Sequence, residues 1–295
     1  MPASEIVNYL KQILRENVQS TIPSLEFSSV GGGSINETYE VKTGSNRAFF
    51  LKINSASTFP LLFQKEKNGL EFLAKQEIIN IPRITQYSIV SNYQLLLLEW
   101  IDRGLKTETF WKNFGEQLAR LHKKTNSHFG FEEDNYMGAL SQRNDWSENW
   151  NDFFIQHRLQ PQVRIAINKG LLSQKNIHRF EILYEKLNSI FDNGNASLLH
   201  GDLWSGNFIC DEKSQPFLID PAVYFGHRSM DLAMTTLFGG FDKSFYESYH
   251  YHFPMPDNYR EQWDVCNLYP LLIHLNLFGS GYLYDIENIL KKFVA

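Results

Sequence analysis

One short polar segment, residues 200–207, constrains this chain more than any other part of it. The segment follows an apolar run and reads His-Gly-Asp-Leu-Trp-Ser-Gly-Asn, which puts Asp202 five residues before Asn207. A second apolar run, a little further along the chain, ends at Asp220 and a proline. Apolar runs separated by polar turns predict a strand, a hairpin and a strand, so these three side chains are expected at the ends of one hairpin.

The residue types at these three positions suit the transfer of a phosphoryl group. A carboxylate such as Asp202 can orient an attacking hydroxyl and accept its proton. The amide oxygen of Asn207 and the carboxylate of Asp220 can hold Mg²⁺, a hard ion that prefers oxygen ligands. Transfer from ATP depends mainly on positioning and charge neutralisation, which these groups would supply. Taken singly, each aspartate could be an ordinary turn residue, but their joint spacing favours a phosphotransferase.

The first hundred residues add candidate phosphate-binding groups on a predicted antiparallel sheet. The turn between its first two strands consists of Gly31, Gly32, Gly33 and Ser34. Such glycines would let the backbone approach phosphates, although a glycine run is also common in plain hairpin turns. Lys52 lies on the third predicted strand, and Glu66 interrupts the apolar stripe of the next helix. Because an unpaired carboxylate is costly there, we expect Lys52 to pair with Glu66.

The pattern changes from strands to helices near residue 100. An apolar run leads there into Glu99, Trp100 and Ile101, and helical periodicity dominates afterwards. The sequence thus predicts an α+β chain with a small antiparallel-sheet lobe over residues 1–100 and a larger, mainly helical lobe over residues 101–295. This arrangement, with its strand lysine and helix glutamate, resembles the two-lobed protein-kinase-like fold. In that fold the backbone at Glu99, Trp100 and Ile101 would bind adenine, although a buried edge strand would have the same composition.

Composition excludes several other classes of protein. The 295 residues include 28 Lys and Arg against 33 Asp and Glu, a net charge of −5, so no basic surface indicates a nucleic-acid partner. Cys210 and Cys266 form no metal-binding motif and predict no disulfide framework. Neither a signal peptide nor a bilayer-spanning segment is recognisable. We therefore expect a cytoplasmic protein that binds neither nucleic acid nor membranes.

The residues after Asp220 distinguish between kinds of kinase. Protein kinases continue from their metal-binding aspartate into Phe-Gly and a long activation segment. Here Asp220 is followed by Pro-Ala-Val-Tyr-Phe-Gly-His-Arg, and a predicted helix begins almost at once near Asp231. No Ala-Pro-Glu motif and no room for a regulatory loop remain. This departure favours the small-molecule branch of the fold, which includes the aminoglycoside and choline kinases.

Several motifs resemble one family within that branch, the fructosamine kinases or ketosamine-3-kinases. The motifs that carry the resemblance occupy residues 31–33, 50–54, 150–159, 200–207, 220–228, 237–241 and 274–279. The resemblance covers nearly the whole chain. A tryptophan in the catalytic loop and the Phe-Gly-Gly-Phe run at 238–241 separate this family from the antibiotic kinases.

The resemblance implies a reaction and a role for each matching residue. The implied reaction is ATP-dependent phosphorylation of the sugar 3-hydroxyl in ketoamine adducts on lysine or other amines, and the choice between a glycated protein and a free glycated amine stays open. The phosphorylated adduct then decomposes spontaneously, which would make the enzyme a deglycation catalyst. Asp202 would be the catalytic base, and Asn207 and Asp220 would be the Mg²⁺ ligands. Lys52 would hold the ATP phosphates, with Glu66 fixing Lys52.

The sequence evidence for substrate-binding residues is weaker than the evidence for the catalytic residues. Trp204, two residues after the expected base, could stack on the sugar or anchor the loop in the core. His274 and Asn276 interrupt an apolar helix; they could form a pocket wall, or His274 could be an ordinary buried histidine. Asp231 is expected to brace the catalytic-loop backbone, and His122 is expected to be structural.

Two other functions remain compatible with the sequence. One is a kinase of the same fold with an aminoglycoside, choline or another small alcohol as acceptor. The other is a nucleotide-binding pseudokinase, which the retention of all five expected catalytic and phosphate-binding residues argues against. The sequence leaves open the choice between ribulosamines and fructosamines, and the oligomeric state.

Overall fold

A five-stranded antiparallel sheet forms the N-terminal part of the molecule. The computed structural model describes residues 1–18, 24–31, 35–44, 47–192 and 194–293. The sheet consists of β1 (Leu25–Ser29), β2 (Glu37–Thr43), β3 (Ala48–Ser55), β4 (Ile84–Val90) and β5 (Tyr93–Glu99). Their order across the sheet is β1-β2-β3-β5-β4, with β3 in the centre. The turn that contains Gly32, Gly33 and Ser34 lies outside the described residues.

Two helices pack on opposite faces of this sheet. α1 (Ser4–Val18) contributes Ile6, Leu10 and Leu14 to a core with Leu95 and Leu97, whereas α2 (Leu62–Ala74) packs against Leu96 and Leu98. Because successive strand residues point to opposite faces, a continuous leucine run in β5 serves both cores. The same alternation in β3 puts Lys52, which lies opposite Leu96 in the register, on the α2 face of the sheet.

The remainder of the described chain is mainly helical. Its helices are α3 (Glu108–His122), α4 (Trp150–Phe153), α5 (Gln160–Asn168), α6 (Gln174–Ile190), α7 (Ser229–Leu237), α8 (Lys243–His252), α9 (Tyr259–Phe278) and α10 (Leu283–Phe293). A π-helical turn, Phe154–Leu159, joins α4 to α5. The sequence patterns did not predict α8, whose aromatic and polar residues show no clear apolar stripe. Among the described helices, none is long and apolar enough to cross a membrane.

Short strands frame the polar segment 200–207. They are β6 (Thr125–Asn126), β7 (Asn135–Met137), β8 (Leu140–Gln142), β9 (Ala196–Leu199), β10 (Phe208–Cys210), β11 (Pro216–Leu218) and β12 (Tyr224–Gly226). β9 pairs with β12 and β6, and β10 forms a hairpin with β11. The segment therefore begins where β9 ends and finishes where β10 begins, as the strand-hairpin-strand pattern predicted.

Candidate active site

The loop at residues 200–207, which we call the catalytic loop, is held in place by a buried carboxylate from α7. Asp231 accepts hydrogen bonds from the backbone N–H groups of His200 (2.7 Å) and Gly201 (2.8 Å). Gly201 has φ +85°, and a Cβ there would lie 2.0 Å from the carbonyl oxygen of Ala222, so only glycine fits. His122 contacts Asp231 from behind, at 3.2 Å. The bracing role expected for Asp231 and the structural role expected for His122 are both confirmed.

His200 connects the catalytic loop to the end of β11, a role that its sequence position did not reveal. The backbone N–H of Asp202 donates to its Nδ1 (3.3 Å), so the ring proton is on Nε2, which donates to the carbonyl of Ile219 (2.9 Å). Burial lowers the pKa of His200 and keeps the ring neutral in this arrangement. One buried imidazole thus fixes the loop relative to Asp220, the residue that follows Ile219.

Asp202 and Asn207 are directly joined. The Asn207 Nδ2 donates to the Asp202 backbone oxygen (2.8 Å) and to its Oδ2 (2.9 Å). The backbone N–H of Ile219 donates to the Asn207 carbonyl (3.1 Å), which brings Asp220 beside the pair. Burial and the nearby Asp220 carboxylate raise the pKa of Asp202 to about 7, against the opposing hydrogen bond from Asn207. A carboxylate with such a pKa is well matched to proton transfer near neutral pH.

The predicted pairing of Lys52 with Glu66 is confirmed. The Lys52 Nζ lies 2.7 Å from both carboxylate oxygens of Glu66 and 3.1 Å from Oδ1 of Asp220. The Lys52 side chain is only 2 % exposed, so burial disfavours its charge, but the Asp220 and Glu66 carboxylates outweigh burial and raise the pKa of Lys52. Lys52 is therefore a fixed positive charge that links the sheet, α2 and the end of β11.

The oxygen atoms around Asn207 and Asp220 fit a Mg²⁺ ion. Asn207 uses its amide nitrogen on Asp202, which leaves its Oδ1 as a donor to a cation. Asp220 has φ +53°, is 38 % exposed, and contacts Lys52 through Oδ1. Its other carboxylate oxygen has no described protein partner. Carboxylate and amide oxygens are the ligands that magnesium prefers, so the donor set is chemically appropriate.

A cleft beside the sheet contains the expected adenine region. The residues around it include Val30, Gly31, Phe50, Leu98, Glu99, Trp100, Ile101, Arg103, Lys106, Ile209, Ile219 and Asp220. Gly31, Glu99, Trp100 and Ile101 thus line the cleft where the sequence predicted a nucleotide. The backbone N–H of Glu99 donates to the Arg83 carbonyl (2.9 Å), so this N–H is not free for a base. The cations Arg103 and Lys106 at this cleft were not predicted.

A second cleft, which we call the acceptor cleft, opens on the other side of the catalytic loop. It is lined by Ile35, Asn36, Lys52, Leu62, Glu66, Tyr136, Met137, Asp202, Trp204, Asn207, Asp220, Ile273, His274, Leu277, Phe278 and Tyr282, among others. Trp204 borders both clefts and is half-buried. His274 lines the acceptor cleft as expected, and its Nδ1 bonds to the Pro270 carbonyl (2.7 Å). Burial lowers the pKa of His274, which keeps its ring neutral.

The structure corrects the expectation for Asn276. This residue is 3 % exposed, and its amide nitrogen donates to the backbone oxygen and to Oε1 of Gln162, both at 3.0 Å. It is not among the residues that line the acceptor cleft. Positions two residues apart in a helix point to opposite faces. Asn276 therefore ties α9 to α5, while His274 faces the cleft.

A buried polar chain behind the acceptor cleft was missed by the sequence analysis. Asn135 donates to the Val223 carbonyl (2.8 Å), and Gln142 donates to Asn135 (2.8 Å) and to the Ala222 carbonyl (3.3 Å). The Tyr269 hydroxyl donates to Oε1 of Gln142 (2.8 Å). These bonds fix the backbone just after Asp220. The only sequence signal is a pair of amides seven residues apart, which gains meaning once β7 and β8 are known to pair.

Comparisons with known proteins identify the family. The fructosamine kinase family model matches residues 6–295. The chain belongs to the fructosamine kinase family. It is 37 % identical to a probable ketoamine kinase of Synechocystis sp., with 90 % of each chain covered. It is 35 % identical to the chloroplastic protein-ribulosamine 3-kinase of Arabidopsis thaliana, with 96 % of this chain and 86 % of that protein covered.

Solved structures agree with this family and with the fold. A crystal structure of a candidate fructosamine-3-kinase from Haemophilus somnus 129PT has a TM-score of 0.86 and 27 % identity, and the match covers 97 % of each chain. A gentamicin-bound aminoglycoside phosphotransferase shares the fold alone, with a TM-score of 0.61 and 17 % identity. The chain is thus a phosphotransferase with the predicted two-lobed, protein-kinase-like α+β fold.

Proposed function

We propose that this protein uses ATP to phosphorylate the 3-hydroxyl of ketosamines, the ribulosamine and fructosamine adducts of lysine and other amines. The observation that carries the proposal is the position of Asp202. Its carboxylate lies at the inner end of the acceptor cleft, bonded to Asn207 and adjacent to the Lys52–Asp220 pair. A sugar in that cleft would meet a base and a phosphate-binding cation together. The names of the ketoamine and ribulosamine kinase relatives support this acceptor over an aminoglycoside or choline.

In the proposed reaction, residues 1–100 hold the nucleotide and residues 101–295 supply the base and the acceptor cleft. Lys52, held by Glu66, neutralises the ATP phosphates together with backbone groups of the turn that begins at Gly31. The backbone around Trp100 and Ile101 holds adenine. Mg²⁺, bound by Asn207 and Asp220, would supply charge neutralisation on the phosphates.

Asp202 accepts the proton of the sugar hydroxyl in the proposed chemical step. The hydroxyl oxygen forms a bond to the γ-phosphorus of ATP while the bond to the β–γ bridging oxygen breaks, and ADP leaves. Trp204 and His274 hold the sugar from the side of the helical lobe. The phosphorylated ketosamine then decomposes without the enzyme, which releases the amine. The use of ATP fits a cytoplasmic enzyme.

The test is an assay of purified protein with ATP, Mg²⁺ and a panel of acceptors. The panel contains ribulosamine-lysine and fructosamine-lysine, with kanamycin and choline as competing acceptor classes. We expect phosphate transfer to the ketosamines and not to the other two. If no ketosamine is phosphorylated, the proposal is overturned. Transfer to kanamycin or choline instead would reassign the acceptor.

A further inference from the structure

The two ends of the acceptor cleft differ in chemistry. The charged groups lie at the inner end, where Lys52, Glu66, Asp202 and Asp220 are grouped around the proposed reaction site. The outer end is lined by aromatic and aliphatic side chains. Among the described residues that line it, none carries a charge at neutral pH, since burial keeps His274 neutral.

Five rings form a continuous surface at the outer end, which we call the aromatic wall. They are Trp204, Phe238, His274, Phe278 and Tyr282. Four of them line the cleft, and Phe238 contacts two of these four without lining it. Ring centroids lie 5.8 Å apart for Trp204 and Phe238, 4.9 Å for Phe238 and His274, and 5.0 Å for His274 and Tyr282. The rings of His274 and Phe278 lie 5.5 Å apart. The chain reverses after α9 at Gly279, with φ +91°, and this turn brings Tyr282 back against His274.

Part of this wall has no covering in the described protein. Phe278 is 54 % exposed and Phe238 is 40 % exposed, although both rings contact other members of the wall. Exposed aromatic rings that adjoin a functional cleft are typical of a surface that a ligand covers. The wall is continuous with the inner end of the cleft through Trp204, which lies two residues after Asp202 in the catalytic loop.

We infer that Phe278 and Tyr282 form a second subsite, which holds an apolar or aromatic substituent on the ketosamine nitrogen. The inference rests on the proposed function, because it takes the sugar to lie at Asp202. With the sugar at the inner end, the substituent on the nitrogen must extend toward the outer end. If the substituent carries a carboxylate directly beside the nitrogen, that carboxylate would be desolvated at the outer end without a cation to pair with. Lys52 cannot serve, because it is already paired with two carboxylates.

The nitrogen itself is compatible with this wall. A secondary amine of this kind is protonated near neutral pH, and a cation is attracted to the face of an aromatic ring. The ketosamine would thus be held by rings on its cationic and apolar side and by charged groups only at its sugar. The substrate class that fits is a ketosamine of an alkyl or aryl amine without an adjacent carboxylate.

The experiment compares two adducts of the same ketose, one made with benzylamine and one with glycine. We expect kcat/KM for the benzylamine adduct to exceed that for the glycine adduct by about tenfold. In Phe278→Ser this ratio should fall to about 1, through loss of the benzylamine activity, whereas Phe278→Leu should retain most of it. Tyr251→Ser, which changes an exposed tyrosine on α8 far from the wall, should keep the wild-type ratio.

The two proposals fail in different ways. Equal kcat/KM for both adducts in the wild type, or an equal loss for both in Phe278→Ser, would overturn the subsite while leaving the ketosamine kinase activity in place. Absence of phosphate transfer to both adducts, with transfer to the lysine ketosamines retained, would overturn the subsite alone. Absence of transfer to the lysine ketosamines as well would overturn the proposed function, and the subsite would fall with it. Thermal unfolding of each variant is measured as well, and we expect the substitutions at these exposed positions to leave the fold intact.

Discussion

The nucleotide side and the acceptor side of the active site are built in different ways. On the nucleotide side, one strand and the next helix supply Lys52 and Glu66, which lie 14 residues apart and meet as a buried pair beside Asp220. On the acceptor side, Trp204 comes from the catalytic loop, whereas His274 and Tyr282 come from the end of α9 and the turn after it, and together they belong to a surface of rings. In the proposed reaction the first side binds ATP, which kinases share, and the second binds the acceptor, which differs between them. Chemistry common to the fold is thus encoded locally, and specificity is built from tertiary contacts.

The largest effect is expected from Asp202→Asn, which changes the residue between the two sides. The amide cannot accept the hydroxyl proton, so kcat should fall by about 10³-fold. The affinity for ATP should stay within about twofold, because the base acts mainly in the transition state. Steady-state kinetics and ATP titration measure the two quantities. Asp257→Asn, at an exposed position, is the matched control, and a large loss of ATP affinity with kcat retained would mean that Asp202 has a different role.

Lys52→Met should affect the use of ATP more than the binding of the ketosamine, although Lys52 also lines the inner end of the acceptor cleft. The substitution removes the cation that lies between Glu66 and Asp220, so kcat/KM for ATP should fall by about 10²-fold. KM for the ketosamine should change little, because the aromatic wall is untouched. Lys213→Met, at an exposed position on the β10–β11 turn, serves as control. A rise in the ketosamine KM with unchanged ATP kinetics would contradict the division of the site into two sides.

Gln142→Leu tests the polar chain behind the acceptor side. Leucine leaves Asn135, Tyr269 and the Ala222 carbonyl without their shared partner, so the free energy of unfolding should fall by about 2 kcal/mol. Activity should fall by less than in the two preceding variants, since the side chain touches no reacting group. Urea denaturation and steady-state kinetics provide the measurements. The control Gln174→Leu, at the exposed start of α6, should leave the free energy of unfolding nearly unchanged. Equal stability of both variants would show that the hydrogen bonds of Gln142 do not stabilise the fold.

The last prediction concerns a loss of stability on acidification, which changes no residue of the site. Burial lowers the pKa of His122, His200 and His227, so the folded protein resists protonation at positions where the unfolded chain accepts it below about pH 6.5. The unfolded state then binds more protons, and the free energy of unfolding should fall as pH drops from 7 to 5. Each histidine contributes at most about 1.4 kcal/mol per pH unit. Denaturation at several pH values measures this slope, and the exposed His128→Gln is the control.

The carboxyls of Asp202 and Glu66, whose pKa values are raised to about 7, bind protons in the folded state over the same range and oppose this loss. A stability that rises down to pH 5 by as much as these two carboxyls alone predict would contradict the neutral, buried state of these histidines. Two of these histidines lie in different parts of the molecule: His200 belongs to the catalytic loop and His122 to the core behind it. Activity and the free energy of unfolding, both followed over the same range of pH, distinguish an effect on the catalytic loop from an effect on the whole fold.

Local sequence patterns predicted the two lobes, the five-stranded sheet and the catalytic loop. Glu66 could be assigned a partner because a carboxylate within an apolar helical stripe requires one. Asp231 was placed correctly because it lies just after the motif at residues 220–228, whereas the contact of His122 with Asp231, 109 residues away, could not be derived from the sequence. Asn276 was misplaced because the face of α9 that borders the cleft depends on how α5 packs against it, and that packing is not encoded in α9 itself.

The aromatic wall and the Asn135–Gln142–Tyr269 chain share this difficulty. Their members are individually ordinary residues, and each gains a function only from packing that its own segment does not encode. Asn135, for example, bonds to Val223, 88 residues away, and Tyr269 bonds to Gln142, 127 residues away. α8 was missed for a related reason, since its packing against α3 defines a buried face that its sequence does not display. Tertiary contacts, rather than local propensity, decide these features.

The most direct test is to determine where phosphate is transferred on a ketosamine. Purified protein is incubated with ATP, Mg²⁺ and fructosamine-lysine or ribulosamine-lysine, and the product is analysed by phosphorus and carbon NMR, with Asp202→Asn as the inactive control. We predict a phosphate ester on oxygen 3 of the sugar, followed by release of the free amine. ATP consumption without a sugar phosphate, or phosphate on a different hydroxyl, would contradict the proposed reaction.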